Sequence, residues 1–201
     1  MYLDWRPTIF QQPGVNVQRI FRDKVRLILV FIGVIWLVFL VDMVFPVNLV
    51  VFGVVPRTAT GLLGVVTMPF LHDGWLHILG NTVPLCVLLF LLAGSRVSSV
   101  EVVISLILLG GVLLWLTGRG GRVHVGASGL IYGLIAFLIV VGFREQRLVS
   151  LAVAVLTGFL YGGTLFSGVL PGLGPAVSWD GHLAGAVAGT IVAFRAVPSS
   201  R

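Results

Sequence analysis

Apolar runs at residues 25–45, 76–93, 100–117, 125–143, 148–170 and 182–196, parted by short polar breaks, dominate the pattern of the chain. Most reach the roughly 17–25 residues that cross hydrocarbon at about 1.5 Å of rise per residue. The pattern therefore predicts six membrane helices. The last run is short and is expected to begin below the outer surface or to lie where the bilayer is thinned. Pro46 is expected to end the first helix. Residues 46–75 form the one long connection. Within it, 47–55 and 61–71 are apolar yet too short to span, and Pro56-Arg57 divides them. Such pieces predict an interfacial or re-entrant loop packed on the bundle, in preference to a seventh span. Residues 1–24 read as a cytoplasmic tail, 25–197 as one six-helix domain and 198–201 as a short C-terminal tail. The expected fold is all-α, a polytopic bundle of six transmembrane helices with a long interfacial first loop.

Composition agrees with the bilayer as solvent. The chain has 201 residues, 58% hydrophobic and 10% charged, with a mean hydropathy of +1.10; soluble domains carry about a quarter charged residues. The net charge of +6 does not form a patch of the kind that binds nucleic acid. Its basic residues flank the apolar runs instead. With the N-terminus inside, ten of the 13 Lys and Arg residues fall on the inner side, and only Arg57, Arg119 and Arg122 fall outside. That asymmetry places both termini in the cytoplasm, in a multi-pass protein of the cell membrane. Cys86 is the single cysteine, so no intrachain disulfide can form. No A-x-A site follows the first apolar run, which is expected to remain as a helix.

On this topology the second, fourth and sixth predicted helices enter from the outer side. Their polar residues lie at similar depth: His77 and Asn81, then Ser128 and Tyr132, then His182. The spacings His77–Asn81 and Ser128–Tyr132 are i, i+4, so each pair shares a helix face. Polar groups inside hydrocarbon are costly and usually functional. Ser128 and His182 are a candidate nucleophile and general base, a pair that needs a hydrogen bond of about 2.6–3.2 Å. Glycine makes that approach possible. Gly181, Gly185 and Gly189 form one small-residue stripe and Gly129 and Gly133 another, and such stripes let helix backbones meet closely in lipid. Gly185 is expected to reject a larger side chain, whereas Gly142, near the inner end of the fourth helix, is expected to tolerate one. Gly126 and Gly129 flank Ser128 and leave its backbone N–H open to a developing oxyanion. His77 and Asn81 can add side-chain donors to the same anion.

Gly126-x-Ser128-Gly129, His77-x-x-x-Asn81, and Gly181-His182 with its following Gly-x-x-x-Gly resemble the rhomboid intramembrane serine proteases, over roughly residues 60–196. The resemblance implies a six-helix rhomboid-like bundle with Ser128 as nucleophile and His182 as general base, a dyad without a carboxylate. It implies that His77, Asn81 and the Ser128 N–H form the oxyanion hole and that Tyr132 packs on the His182 ring, with Gly126, Gly129 and Gly185 supporting the site. The implied partners are transmembrane protein substrates in the lipid bilayer, cut near the outer leaflet after small side chains, with no cofactor and no metal. A substrate helix must unwind locally, because helical carbonyls are bonded and shielded. The glycine- and proline-rich connection 167–181 is expected to cap the site, with the fifth helix as a lateral gate. One element departs from the family. Many rhomboids carry Trp-Arg shortly before the stretch matching 67–72, and here Leu62-Leu63-Gly64-Val65 stands in that place.

The remaining polar residues have plainer expectations. His72 and His77 are five apart, without a His-Glu-x-x-His motif, so no metal site is expected. His72 reads as a support for the loop or for water at the site, and His124 as a solvated histidine in an outer loop. Asp180 reads as a charge at a helix N-terminus and not as the third member of a triad. Two other classes compete with proteolysis. A catalytically inactive rhomboid-like protein that binds transmembrane clients would dispense with Ser128 or His182. A transporter would need a polar path through the whole bilayer, whereas these polar side chains gather in the outer third.

Overall fold

In the computed structural model the described residues are 17–45, 47–95, 97–171 and 178–197. The expectations for residues 1–16, Pro46, Arg96, the middle of the cap at 172–177 and the tail 198–201 lie outside them. The described chain is all-helical: α1 (Val17–Val44), α2 (Gly64–Thr67), α3 (Trp75–Ala93), α4 (Ser99–Thr117), α5 (Ser128–Arg144), α6 (Leu148–Gly168) and α7 (Trp179–Ala196). Among the described residues only Val54 and His124 pair in the manner of a strand, as an isolated antiparallel bridge.

Every predicted apolar run is one helix, with ends set by local chemistry. The first starts at Val17 and not near residue 25, because Arg, Lys and Gln are good helix formers and extend the apolar run inward. The fourth run starts its helix at Ser128, three residues later than its apolar pattern, because Gly126 takes a φ of +103° that no helix accommodates. The last starts at Trp179, which brings Asp180 into its first turn. Among the described residues four helices are long and apolar enough to cross a membrane: Arg22–Val44, Trp75–Ala93, Ser99–Thr117 and Leu148–Gly168. The shorter α5 and α7 are the innermost pair. Every residue of α5 from Gly129 to Leu138 is buried, as expected of a helix that is apolar on all sides. It packs most extensively on α7, with α3, α4 and α6 completing its surround.

Among the described residues the long first loop holds no helix long enough to cross a membrane. Its apolar pieces fold into single turns at Leu49–Phe52, Thr60–Leu62 and Met68–Phe70, with the four-residue α2 between the last two. It docks without the Trp-Arg pair. Arg57 Nη1 donates to the carbonyls of Leu116 (3.2 Å) and Gly118 (2.8 Å), which lie at and just beyond the end of α4, where carbonyls lack helical partners. The Trp115 indole N–H returns a bond to the Thr58 carbonyl at 2.8 Å. A cation and a tryptophan therefore do fasten this loop, from positions other than those the family pattern suggests.

The expectation for Gly142 is corrected. A Cβ there would overlap Ala154 Cβ and stand 2.5 Å from the Ser150 carbonyl oxygen, because α5 and α6 form a tight hairpin at that end. Gly142 has no more room than Gly185.

Candidate active site

The starts of α3, α5 and α7 and the turn at Gly126 converge at one end of the bundle. On α3, His77 Nδ1 is 2.6 Å from Asp73 Oδ1, and Asn81 lies one turn further along and buried. Both point at Gly126. A Cβ on Gly126 would overlap His77 Nε2 and would lie 3.3 Å from Asn81 Nδ2. The left-handed φ and this crowding each require glycine there. The turn is pinned from below, since the Gly126 N–H donates to the Met68 carbonyl at 3.0 Å. Ser128 follows as the first residue of α5, half-buried, with its N–H among those that have no acceptor inside the helix.

Asn81 Nδ2 is buried and has no hydrogen-bond partner among the described residues. An unmet buried donor costs about 1–3 kcal/mol, so an amide left in this state beside Gly126 is poised for an acceptor that arrives. An anion would satisfy it. A His77 ring that donates Nδ1–H to Asp73 presents Nε2 toward Gly126, and it donates to an anion there only with a proton on both nitrogens.

His182 is held from two sides. Its ring stacks on Tyr132 with centroids 4.0 Å apart and planes 4° from parallel. Its Nδ1 lies 2.9 Å from the Gly168 carbonyl oxygen. A carbonyl can only accept, so Nδ1 carries the proton and Nε2 of the neutral ring is left as the basic nitrogen. Tyr132 is itself tethered, donating to the Thr164 carbonyl at 2.9 Å. Because Tyr132 and Ser128 share a face of α5, the histidine lies against the face that carries the serine. Among the described hydrogen bonds none joins His182 to Ser128 Oγ; in unliganded enzymes such bonds are often long and tighten with substrate.

The glycine stripes meet as their spacing predicts. A Cβ on Gly185 would overlap the Gly129 carbonyl oxygen, and one on Gly189 would overlap that of Gly133. The backbones of α5 and α7 are in contact at both levels.

Two expectations are corrected here. His124 is not solvated: it is 4% exposed, with Nδ1 2.8 Å from Ser178 Oγ and Nε2 3.7 Å from Asp180 Oδ2. Burial holds this ring below the ordinary histidine range, against the pull of Asp180. Asp180 is more than a terminal charge. It is buried and accepts from the Arg119 N–H at 2.8 Å and from Arg119 Nε and Nη2 at 3.2 and 3.1 Å. Together these groups tie the α4–α5 connection to the start of α7, and Asp180 is thereby engaged away from His182. His72 is 3% exposed, and its ring lies 5.0 Å from that of His77. Burial first, then His77, pushes its pKa down to about 4, so the ring is neutral.

The residues that motif reading singles out, Ser128, His182, Tyr132, His77, Asn81 and the glycines, come together here, whereas the Gly168 and Thr164 carbonyls that hold His182 and Tyr132 belong to no motif. Backbone acceptors carry no residue signature. The available signal is the end of α6, where the last carbonyls lack helical partners.

Comparison with known proteins adds the lineage of this arrangement. Residues 59–199 match the family model described as rhomboid domain. Uncharacterized proteins of Mycobacterium tuberculosis and Mycobacterium bovis are 41% identical over 175 residues, spanning 83% of this chain and 72% of theirs. One of Mycobacterium leprae is 38% identical over 175 residues, spanning 83% and 69%. No solved structure matches significantly.

Proposed function

The chain belongs to the rhomboid family, and from that membership we propose that it is an intramembrane serine protease that cuts transmembrane helices of membrane-protein substrates. The observation that carries this reading is the oriented base: His182 stacked on Tyr132, its Nδ1 proton bound by Gly168, against the helix face of Ser128. His182 Nε2 takes the Ser128 proton as Oγ adds to the substrate carbonyl. The oxyanion is received by the Ser128 N–H, Asn81 Nδ2 and His77 Nε2–H. Collapse of the adduct, with proton return from His182 to the leaving amine, gives an acyl-enzyme. Water, deprotonated by the same Nε2, then releases it. No step needs a cofactor or metal. Gly168 and Tyr132 do for His182 what a carboxylate does in a triad: they set tautomer and orientation.

Labelling tests this. A fluorophosphonate should modify purified protein at Ser128, and mass spectrometry of the adduct should locate it. Folded protein that stays unlabelled would favour the inactive, client-binding reading.

The proposed setting is the cell membrane, crossed six times with both termini cytoplasmic and the site opening outward, on the strength of the basic asymmetry. In a Cys86→Ala background, Val123→Cys in the exposed α4–α5 connection should react with an impermeant maleimide on intact cells. Arg147→Cys, before α6, should react only after lysis. The opposite pattern would place the site on the cytoplasmic side.

A further inference from the structure

At the end of the bundle opposite Ser128, α1 leans on α3 and on the Met68–Phe70 turn and leaves a cleft of about 730 Å³ between itself and α4. Its walls are almost wholly apolar, Leu27, Val30 and Val34 on one side and Val100, Ile104 and Leu108 on the other. Most of these are more than 40% exposed, so the cleft opens sideways, toward the bilayer. Its far end is closed by Phe70, packed edge-on against Phe31 with centroids 5.3 Å apart. Its near end carries Lys24, whose ammonium donates to the carbonyls of Ala93 (2.9 Å) and Ser95 (3.2 Å). An ammonium has three donors, so one remains for a further acceptor at the mouth.

We propose that this cleft holds one acyl chain of an anionic phospholipid from the leaflet opposite the Ser128 site, with the phosphate on Lys24. Depth and charge select that occupant. From Lys24 to Val34 the cleft runs about 15 Å along α1, half of a roughly 30 Å hydrocarbon core. It is one leaflet deep and ends where one acyl chain ends. A substrate helix long enough to cross the bilayer would meet the floor that Phe31 and Phe70 make. Lys24, the one cation among the described residues that line the cleft, is complementary to a phosphate, and a lysine near the membrane surface favours an anionic lipid by about fivefold. The site is independent of the proteolytic reading.

Native mass spectrometry of the full chain in mild detergent, equilibrated with equal amounts of phosphatidylglycerol and phosphatidylcholine, tests it. Wild type should retain one lipid, with phosphatidylglycerol favoured about fivefold. Lys24→Gln should still retain one lipid but with a ratio near unity. Ile104→Trp and Leu108→Phe, at bilayer-facing positions where the fold has room, should lose the retained lipid of either kind. Equal retention of the two lipids by wild type, an unchanged ratio in Lys24→Gln, or full retention in both filling variants would overturn the assignment.

Discussion

Ser128→Ala and His182→Ala proteins, each reconstituted with a single-pass test substrate, are expected to release no product above background. Removing either nucleophile or base from a serine hydrolase costs about six orders of magnitude, because the two act as one unit. Among the described residues His77 Nε2 and Asn81 Nδ2 face Gly126 as partners for the anion, and neither replaces the Ser128 nucleophile. Asn81→Ala should behave differently. One oxyanion donor is worth about 10²–10³ in rate, so that variant should be slow and measurable, with fluorophosphonate labelling at Ser128 retained at a reduced rate. Cleavage by Ser128→Ala protein freed of contaminating proteases would remove the dyad from the mechanism. An Asn81→Ala rate equal to wild type would mean that its unpaired amide serves some other acceptor.

The parts of this site that could be read from the sequence are those that repeat along a helix. His77 with Asn81, Ser128 with Tyr132, and the glycines of α5 and α7 declare themselves through i, i+4 spacing inside apolar runs, because lipid leaves each polar or small residue needing a reason. What could not be read depends on contacts between distant segments. His124 looks solvated among Gly120, Gly121 and Arg122, yet Ser178 lies across its ring, 54 residues away. Asp180 looks like an ordinary first-turn acid until Arg119 closes on it from 61 residues back. Loop docking belongs to the same class, since Arg57 finds its acceptors only once α4 ends beside it. The acceptor that orients His182 is a main-chain oxygen, to which residue type is blind.

Gly185→Ala is expected to lose most activity although it touches no reacting atom. The added Cβ would overlap the Gly129 carbonyl oxygen and stand 2.9 Å from its carbon. Backbone cannot rotate aside as a side chain can, so α5 and α7 must separate, by about 1 Å. Displacement of that size between reacting groups costs about a hundredfold in rate, and overpacking of this kind destabilises by about 1–3 kcal/mol. Gly185→Val should be worse on both counts. Gly142, crowded by Ala154 and Ser150, cannot serve as the tolerant control. Gly158 can, for a Cβ on it meets nothing within 4 Å, and alanine there improves helix propensity by about 1 kcal/mol. Thermal melting beside cleavage separates the two consequences. The Gly185→Ala protein should melt earlier and, at temperatures where it remains folded, still cleave about a hundredfold more slowly than Gly158→Ala. Wild-type cleavage by Gly185→Ala would mean that backbone contact between α5 and α7 is not what sets His182 against Ser128. The stack on Tyr132 and the bond to Gly168 would then have to position the base by themselves.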